Sequence, residues 1–541
     1  MKKKLLYIFA LFTLAFVVSL PIILPYLKTG FFPTHDGEWT VVRLSEMYRE
    51  IKDLQFPPRI SGYLNFEYGY PLFNFAYPMP YYLGLFFVFL KLGFVNSIKI
   101  LFSLSVIFSF LSMFLLSKTL WKNNLAGFVS GILYIYVPYR IVDLFVRGSI
   151  GESLAFVLFP LILLGIRNIY EDQKIHVNIL ITGFLFALLI MTHNIMAVLF
   201  GLIILFILIA GVIRKKFKFV YNLFSSLLYS FCISAFFWIP AIFEKNLILL
   251  SKIPIADRNI YFVNPLQLFI PKWGYGVPTD VNGFGYQIGI PQIIIVLLVL
   301  VTALVNKNKE SKRALFFVFI IILLLFLLFS PSAFIWSNVP FLSEINYPWT
   351  ILAIIAFLSS LVAGYLTKLG KTFIGLSLLL CVISVILIIP NAKPQYQVNR
   401  GDSYYLTNQA TTTSSNELMP LWVKEMPNKK ADGKVKLING QIENLSYNSK
   451  KISFALNLPK EQMVTINTIY YPGWVFSIDK TKTQINYNNK YGVMEITVPS
   501  GKHLINGKLT ETNLRLFSDF ISLISLLLFP IIFLLYKKRQ V

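Results

Sequence analysis

Two carboxylates and an imidazole lie close together near the start of a largely apolar chain. They belong to the stretch Thr34-His35-Asp36-Gly37-Glu38. Such groups could act as a general base, ligate a metal ion or orient a hydroxyl. Asp36 could equally cap a helix that follows it, and the sequence leaves these two roles open. A carboxylate at the edge of a membrane costs solvation free energy unless it faces water or a partner, which favours a functional site.

Two further polar groups interrupt apolar runs. In the first, Asp143 and Arg147 are four positions apart and could simply pair on one helix face. Glu152 follows inside an apolar run, where an unpaired carboxylate is costly. The second is Thr192-His193-Asn194, at a predicted turn between two runs. A lone histidine at a helix end usually has a local hydrogen bond, but we expect His193 on the same membrane face as Asp36.

Membrane helices must position these residues. Apolar residues make up 56% of the chain, the mean hydropathy is +0.66, and runs of about 20 apolar residues recur, the length that crosses a bilayer as helix. Because Lys/Arg clusters mark cytoplasmic loops, they explain most of the net charge of +24 without a nucleic-acid partner. Placing the clusters inside predicts a polytopic α-helical protein of the plasma membrane with both termini cytoplasmic. The predicted spans, about twelve in number, are 5–26, 97–117, 124–141, 150–166, 177–192, 195–213, 219–240, 286–305, 314–330, 349–366, 372–390 and 516–536.

The first extracytoplasmic loop, residues 28–96, carries most of the remaining candidates. Apolar residues at helical spacing predict an amphipathic surface helix over 36–53. Arg59, Tyr70 and Tyr81 are candidate substrate-binding residues in this loop, together with His35 and Glu38. The apolar run 79–95 is short and begins with prolines, and counting it as a span would invert every later loop. We therefore expect it to be interfacial or re-entrant.

The chain divides into three parts. Residues 1–390 form the membrane body. Residues 391–515 are more polar and show alternating runs at 451–458, 464–470, 474–479 and 493–498, separated by turn residues, which predict an extracytoplasmic β-sandwich. Residues 516–541 form the last span and a basic cytoplasmic tail. Cys232 and Cys381 lie in predicted spans, so no disulfide framework is expected.

The motifs and their order resemble a known group of proteins. The motifs are His35-Asp36, Gly69-Tyr70-Pro71-Leu72-Phe73-Asn74-Phe75, Pro80-Tyr81-Tyr82, Arg147-Gly148 with Glu152, and Thr192-His193-Asn194. This order resembles the bacterial membrane proteins of the 6-pyruvoyl-tetrahydropterin synthase related family, whose layout is similar to GT-C glycosyltransferases. Tyr470-Tyr471-Pro472-Gly473-Trp474 resembles the β-domain of YfhO-like proteins. In one departure, Thr350 stands after Trp349, where relatives often carry an arginine that serves the donor phosphate.

The resemblance implies a glycosyltransferase that moves a sugar from a polyprenyl-phosphate donor to an envelope glycopolymer, lipid or protein. It implies that Asp36 is catalytic and that Asp143 or Glu152 is a second functional acid. Arg147 would hold the departing phosphate, and His193 and Asn194 would complete the substrate site. The cofactor is open; a divalent cation could bind Asp36 with Glu152 or Asp143. The alternatives are a transporter or flippase for a lipid-linked glycan, which would need a continuous polar path, and a non-catalytic assembly factor of the envelope.

Overall fold

The computed structural model describes residues 2–538 except Gln173. Met1 and the tail residues 539–541, where part of the predicted basic tail falls, lie outside the described residues. The chain is mostly helical until residue 406 and then forms strands before a final helix. The helices are α1 Lys2–Leu27, α2 Gly37–Lys52, α3 Leu72–Phe75, α4 Met79–Phe89, α5 Phe94–Trp121, α6 Asn124–Ile135, α7 Pro138–Val142, α8 Ile150–Tyr170, α9 Ile175–Thr192, α10 Asn194–Ile213, α11 Phe217–Ile233, α12 Ala235–Phe243, α13 Ile290–Asn306, α14 Lys309–Leu328, α15 Ala333–Asn338, α16 Leu352–Leu366, α17 Lys371–Ile388, α18 Asp402–Leu406 and α19 Asn513–Lys538.

The helical body is that of a polytopic membrane protein. Within the described residues, eight helices are long and apolar enough to cross a membrane, or ten when two bent pairs each count as one span. The bent pairs correspond to the predicted spans 124–141 and 219–240. Helix α13 is shorter, at 17 residues, and α19 runs to the edge of the described residues. The predicted total of about twelve therefore stays a prediction. Helix α16 lies at the centre of the body, since every one of its 15 residues is buried.

The first loop folds back onto the bundle. Helix α2 confirms the predicted amphipathic helix, with Val41, Leu44 and Met47 buried along one face. Helix α4 has only 11 residues, and at 1.5 Å per residue it spans roughly half of the hydrocarbon thickness. This length fits the prediction that residues 79–95 do not span.

The C-terminal domain consists of two antiparallel sheets. The strands are β1 Val435–Lys436, β2 Gln441–Tyr447, β3 Lys451–Leu458, β4 Gln462–Ile469, β5 Trp474–Ile478, β6 Thr481–Thr483, β7 Val493–Val498 and β8 Gly501–Leu509. One sheet has the order β1-β4-β7 and the other β2-β3-β8-β5-β6. Alternating residues of β3 and β4 are buried, as the period-two pattern predicts. Regular strands occupy only 435–509 of the predicted 391–515.

Residues 391–434 and the sheets are tied to the membrane body. Asp402 accepts hydrogen bonds from the first two N–H groups of α5, at 2.9 and 2.8 Å. The Ile469 N–H donates to the carbonyl oxygen of Tyr68 in the first loop at 2.8 Å. Two buried arginines, Arg59 and Arg515, connect α19 with the first loop and the end of α12. These contacts fix the first loop against the bundle.

Candidate active site

Asp36 is held against the break between α6 and α8. Helix α6 bends by 47° at the segment before Pro138, and a π-helical turn covers Asp143–Arg147. Proline explains the bend, and π-turns are frequent at functional sites. The N–H groups of His35 and Asp36 donate to the carbonyl oxygens of Val146 and Arg147 at 2.9 and 2.8 Å. The structure thus places the stretch that contains Asp36 beside the segment that contains Arg147.

Glycine at position 148 makes this approach possible. Gly148 has a φ of +63°, and a Cβ there would overlap the Thr34 side chain and lie 2.9 Å from the Gly37 nitrogen. Any other residue would be strained and would displace the first loop. Gly148 thus admits the first loop to this part of the bundle.

The Asp36 carboxylate has no partner in the described part of the chain. It is half-buried and takes part in no hydrogen bond or ion pair there. Asp36 precedes α2, but the N–H of Gly37 instead donates to the Thr34 hydroxyl at 2.9 Å. The interpretation of Asp36 as a helix cap is therefore wrong. A carboxylate positioned by its backbone and left free is available to a ligand.

Arg147 presents one edge of its guanidinium outward. Its Nη1 lies 2.5 Å from Glu152 and 3.9 Å from Asp143, and donates to the Tyr139 hydroxyl at 3.3 Å. Within the described chain, Nε and Nη2 have no partner, and the side chain is 13% exposed. The cation also lies 4.8 Å from the centre of the Trp349 ring. One edge is locked, so the other is a preoriented pair of donors for an oxyanion.

Glu152 and Asp143 lie behind Arg147, with side chains 0% exposed. Glu152 accepts from the Tyr139 hydroxyl at 2.9 Å. Asp143 accepts from the Ser153 hydroxyl at 2.7 Å and lies 3.4 Å from Arg140. Both predicted acids thus have internal partners. Their placement favours positioning of Arg147 over direct contact with a substrate.

His193 joins the same cluster from the turn between α9 and α10. Its Nε2 lies 3.8 Å from Glu152, its ring stacks on Tyr77 at 5.1 Å, and its Nδ1 accepts from the Met196 N–H. A Cβ on Gly151 would come within 2.6 Å of the Thr192 carbonyl oxygen. His193 thus has the local hydrogen bond that is usual at a helix end, and it also belongs to the cluster around Glu152. The neighbouring Asn194 is exposed.

Five aromatic residues that the sequence analysis did not propose as a site complete the surroundings. We call Tyr261, Phe284, Tyr286, Tyr347 and Trp349 the aromatic wall. Trp349 is 4% exposed and contacts Phe284, Tyr286 and Tyr347 with ring centroids 5.3, 6.2 and 5.8 Å apart. Phe284 in turn lies 6.3 Å from His35. The predicted topology places the loops around residues 261–286 and 347–349 on the outer face. That their aromatic residues are in contact is seen only in the folded structure.

Neighbouring charged groups also affect the pKa of the Tyr347 hydroxyl. Burial raises the pKa of the Tyr347 phenol, and the Tyr261 phenol and the Asp36 carboxylate raise it further, whereas Arg147 lowers it. The hydroxyl therefore stays protonated at neutral pH and can donate a hydrogen bond. Neither it nor the Tyr261 hydroxyl has a partner in the described part of the chain, and neither is shut away from solvent.

The remaining predicted residues lie elsewhere. Arg59 is 2% exposed and pairs with Asp519 and Glu511. Glu38 pairs with Arg400 at 3.2 Å. The Tyr70 hydroxyl is hydrogen-bonded to Thr412 at 2.9 Å, and Tyr81 is buried beside Arg43. The structure thus gathers Asp36, Arg147, Glu152, Asp143 and His193, with His35 at the rim. It gives Arg59, Glu38 and Tyr70 separate partners, and the Tyr81 hydroxyl is buried without a hydrogen bond in the described chain.

No set of three or more His, Cys, Asp or Glu side chains within the described ranges is arranged to hold a metal ion. The acids proposed for a cation, Glu152 and Asp143, are bound by arginines and hydroxyl groups. The guanidinium groups of Arg140 and Arg147 lie within 3.9 Å of these two acids and already supply the positive charge that a divalent cation would bring.

Comparison with known proteins gives one family match. A model described as "6-pyruvoyl-tetrahydropterin synthase related domain; membrane protein" matches residues 73–398. The match includes Arg147, Glu152, His193 and Trp349 but not Asp36. No curated protein matches the chain.

Two solved structures of the oligosaccharyltransferase from Archaeoglobus fulgidus are similar. The apo form is 14% identical with a TM-score of 0.44, covering 76% of this chain and 61% of that chain. The complex of the enzyme, AglB, with an inhibitory peptide and a dolichol-phosphate is 15% identical with a TM-score of 0.44, covering 77% and 61%. The chain therefore spans about three fifths of the length of these proteins.

Proposed function

We propose that this chain, which belongs to the 6-pyruvoyl-tetrahydropterin synthase related family of membrane proteins, is a glycosyltransferase of GT-C type. The donor is a sugar carried on a polyprenyl phosphate. The acceptor is a hydroxyl of an envelope glycopolymer, lipid or protein, and transfer occurs on the extracytoplasmic face of the plasma membrane.

One observation carries the proposal. The Asp36 carboxylate and the outer edge of the Arg147 guanidinium both lack partners in the described chain, although the two backbones are joined by a 2.8 Å hydrogen bond. Adjacent opposite charges normally pair, as Arg147 does with Glu152. A free carboxylate beside a guanidinium that has two unused donors is the combination needed to activate a hydroxyl and to receive a departing phosphate.

The proposed reaction is a single displacement with inversion. The acceptor oxygen forms a bond to the anomeric carbon from the face opposite the phosphate. The bond between that carbon and the phosphate oxygen breaks, and the electron pair leaves with the phosphate. Asp36 takes the proton of the acceptor hydroxyl, and the Nε and Nη2 donors of Arg147 stabilise the charge on the phosphate. Glu152 acts as a positioning residue, because it fixes the opposite edge of the guanidinium.

The test compares cells lacking the chain with cells complemented by wild type or Asp36→Asn. Loss of transfer should remove one sugar from an envelope glycan and leave the lipid-linked sugar on the outer leaflet, where impermeant periodate oxidises it. A flippase would leave the donor on the inner leaflet, protected from periodate. An assembly factor would retain function in the Asp36→Asn cells. Either result would reject the transferase proposal.

A further inference from the structure

The aromatic wall beside Arg147 has a composition that suits one class of ligand. We infer that the Tyr261–Tyr347 pair is the surface on which the sugar ring of the substrate stacks, with the Tyr347 hydroxyl donating a hydrogen bond to that sugar. The inference rests on the proposed function for the substrate being a glycoside. It deepens that proposal by assigning the sugar subsite to the outer segments around residues 258–261 and 345–351 rather than to the first loop.

The geometry of the pair supports stacking. The Tyr261 and Tyr347 rings meet edge to face, with centroids 4.8 Å apart and an interplanar angle of 74°. Both are only partly buried, so aromatic surface remains open. Tyr347 is fixed from behind by Trp349, at 5.8 Å, and Trp349 itself lies against the Arg147 cation. The wall is therefore rigid and lies directly beside the proposed phosphate donors.

The hydrogen-bonding groups favour a sugar over a lipid tail. The Tyr261 and Tyr347 hydroxyls are solvent-accessible and have no partner within the described chain, so covering them with an acyl or prenyl chain would leave two polar groups unsatisfied. A pyranose offers an apolar C–H face for the rings and hydroxyls for the phenols. Ligand sites commonly combine aromatic surface with a few such polar groups.

The segments that carry the pair are anchored. The guanidinium of Arg258, three residues before Tyr261, donates through Nε to the Ile345 carbonyl oxygen at 2.7 Å and through Nη2 to the Ser343 carbonyl oxygen. This contact joins the Tyr261 segment to the segment that precedes Tyr347. The two rings are thus held by the hydrogen bonds of the Arg258 side chain as well as by their own packing, as a preformed subsite requires.

The experiment is saturation-transfer difference NMR on the full chain in a detergent without sugar. The probes are methyl glycosides of glucose, galactose, mannose and arabinose. The wild type should transfer saturation to one face of at least one ring. Tyr347→Ala should weaken that binding roughly tenfold, which corresponds to about 1.4 kcal/mol. Tyr347→Phe keeps the ring and should weaken it roughly threefold through the lost hydrogen bond. Tyr261→Ala is a second variant in case Tyr347→Ala does not fold.

The matched control is Tyr487→Ala, which breaks a stacked tyrosine pair with Tyr470 in the C-terminal domain at 4.2 Å. It should bind as the wild type does. No transfer to any glycoside, unchanged binding in both alanine variants of the wall, or loss of binding in Tyr487→Ala would each overturn the inference. Failure of the proposed function is distinguishable, since it would show as undiminished sugar transfer by Asp36→Asn while glycoside binding still depended on Tyr347.

Discussion

Replacing Glu244 with leucine should loosen the C-terminal domain from the membrane body. Glu244 follows α12 and accepts from Arg515 Nε at 2.9 Å and Nη2 at 2.7 Å, from Asn74 at 2.8 Å and from the Tyr471 hydroxyl at 3.1 Å. Arg515 lies in the first turn of α19, and its side chain is 0% exposed. The variant leaves this buried cation without its ion-pair partner, which typically costs about 3–5 kcal/mol.

The double variant Glu244→Leu with Arg515→Leu provides the decisive comparison. It removes both charges, so Asn74 and Tyr471 lose a hydrogen-bond acceptor and the Pro472 carbonyl oxygen loses a donor, at a cost of roughly 1–3 kcal/mol. The double variant should therefore be more stable than Glu244→Leu alone. Stability is measured by denaturant titration in detergent, followed by tryptophan fluorescence.

The matched control is the exposed pair of Lys430 with Glu67, 2.6 Å apart with side chains 45% and 37% exposed. Lys430→Gln should cost less than about 1 kcal/mol. Additive losses for Glu244 and Arg515 would contradict the reasoning, because independent sites add and a coupled buried pair does not. A loss of stability in Glu244→Leu no larger than that in Lys430→Gln would also contradict the reasoning.

Three further outcomes are expected. Arg147→Lys should lower sugar transfer without lowering protein level, since one ammonium group cannot replace two donors in a fixed fork; equal transfer by both proteins would exclude Arg147 as the phosphate ligand. A cysteine at Asn124, exposed at the start of α6, should react with impermeant maleimide only from the cytoplasmic side; labelling of intact cells would invert the predicted topology. Hydrogen bonding raises the pKa of His503 above 6.5 and lowers that of its partner Asp479 below 3.8. The stabilisation from this pair is therefore full between those values and is lost as pH rises through the raised His503 pKa or falls through the lowered Asp479 pKa. The melting temperature of wild type should thus exceed that of His503→Gln by more at pH 5.5 than at pH 9.

Much of the fold follows from local patterns in the sequence. Apolar runs predicted the helices of the membrane body, and helical spacing over 36–53 predicted α2 at Gly37–Lys52. Period-two alternation predicted β3 at Lys451–Leu458 and β7 at Val493–Val498. These features are set by burial of neighbouring residues along one segment, so no distant partner is needed to recognise them.

The site was predicted only in part, because many of its contacts join segments that are distant in the sequence. Asp36 and Arg147 could be proposed from their charge in an apolar setting. Arg59 pairs with Asp519 and Glu511, which lie more than 450 positions further along the chain. The residues around Arg59 in the sequence therefore do not show that it forms an internal ion pair. Tyr347 belongs to the aromatic wall, three of whose members, Tyr261, Phe284 and Tyr286, come from a separate loop. The capping role of Thr34 was missed because both Thr and Asp suit the N-terminus of a helix.

The central claim is that the free carboxylate of Asp36 activates the acceptor. Asp36→Asn keeps the shape of the side chain but removes its charge and basicity. Sugar transfer should fall by roughly 10²–10⁴-fold, the usual contribution of a positioned general base. Melting in detergent should change little, because the carboxylate has no internal partner in the described chain. Glu67→Gln, another first-loop acid, should transfer at the wild-type rate. Wild-type transfer by Asp36→Asn, measured on the same envelope glycan, would contradict the account.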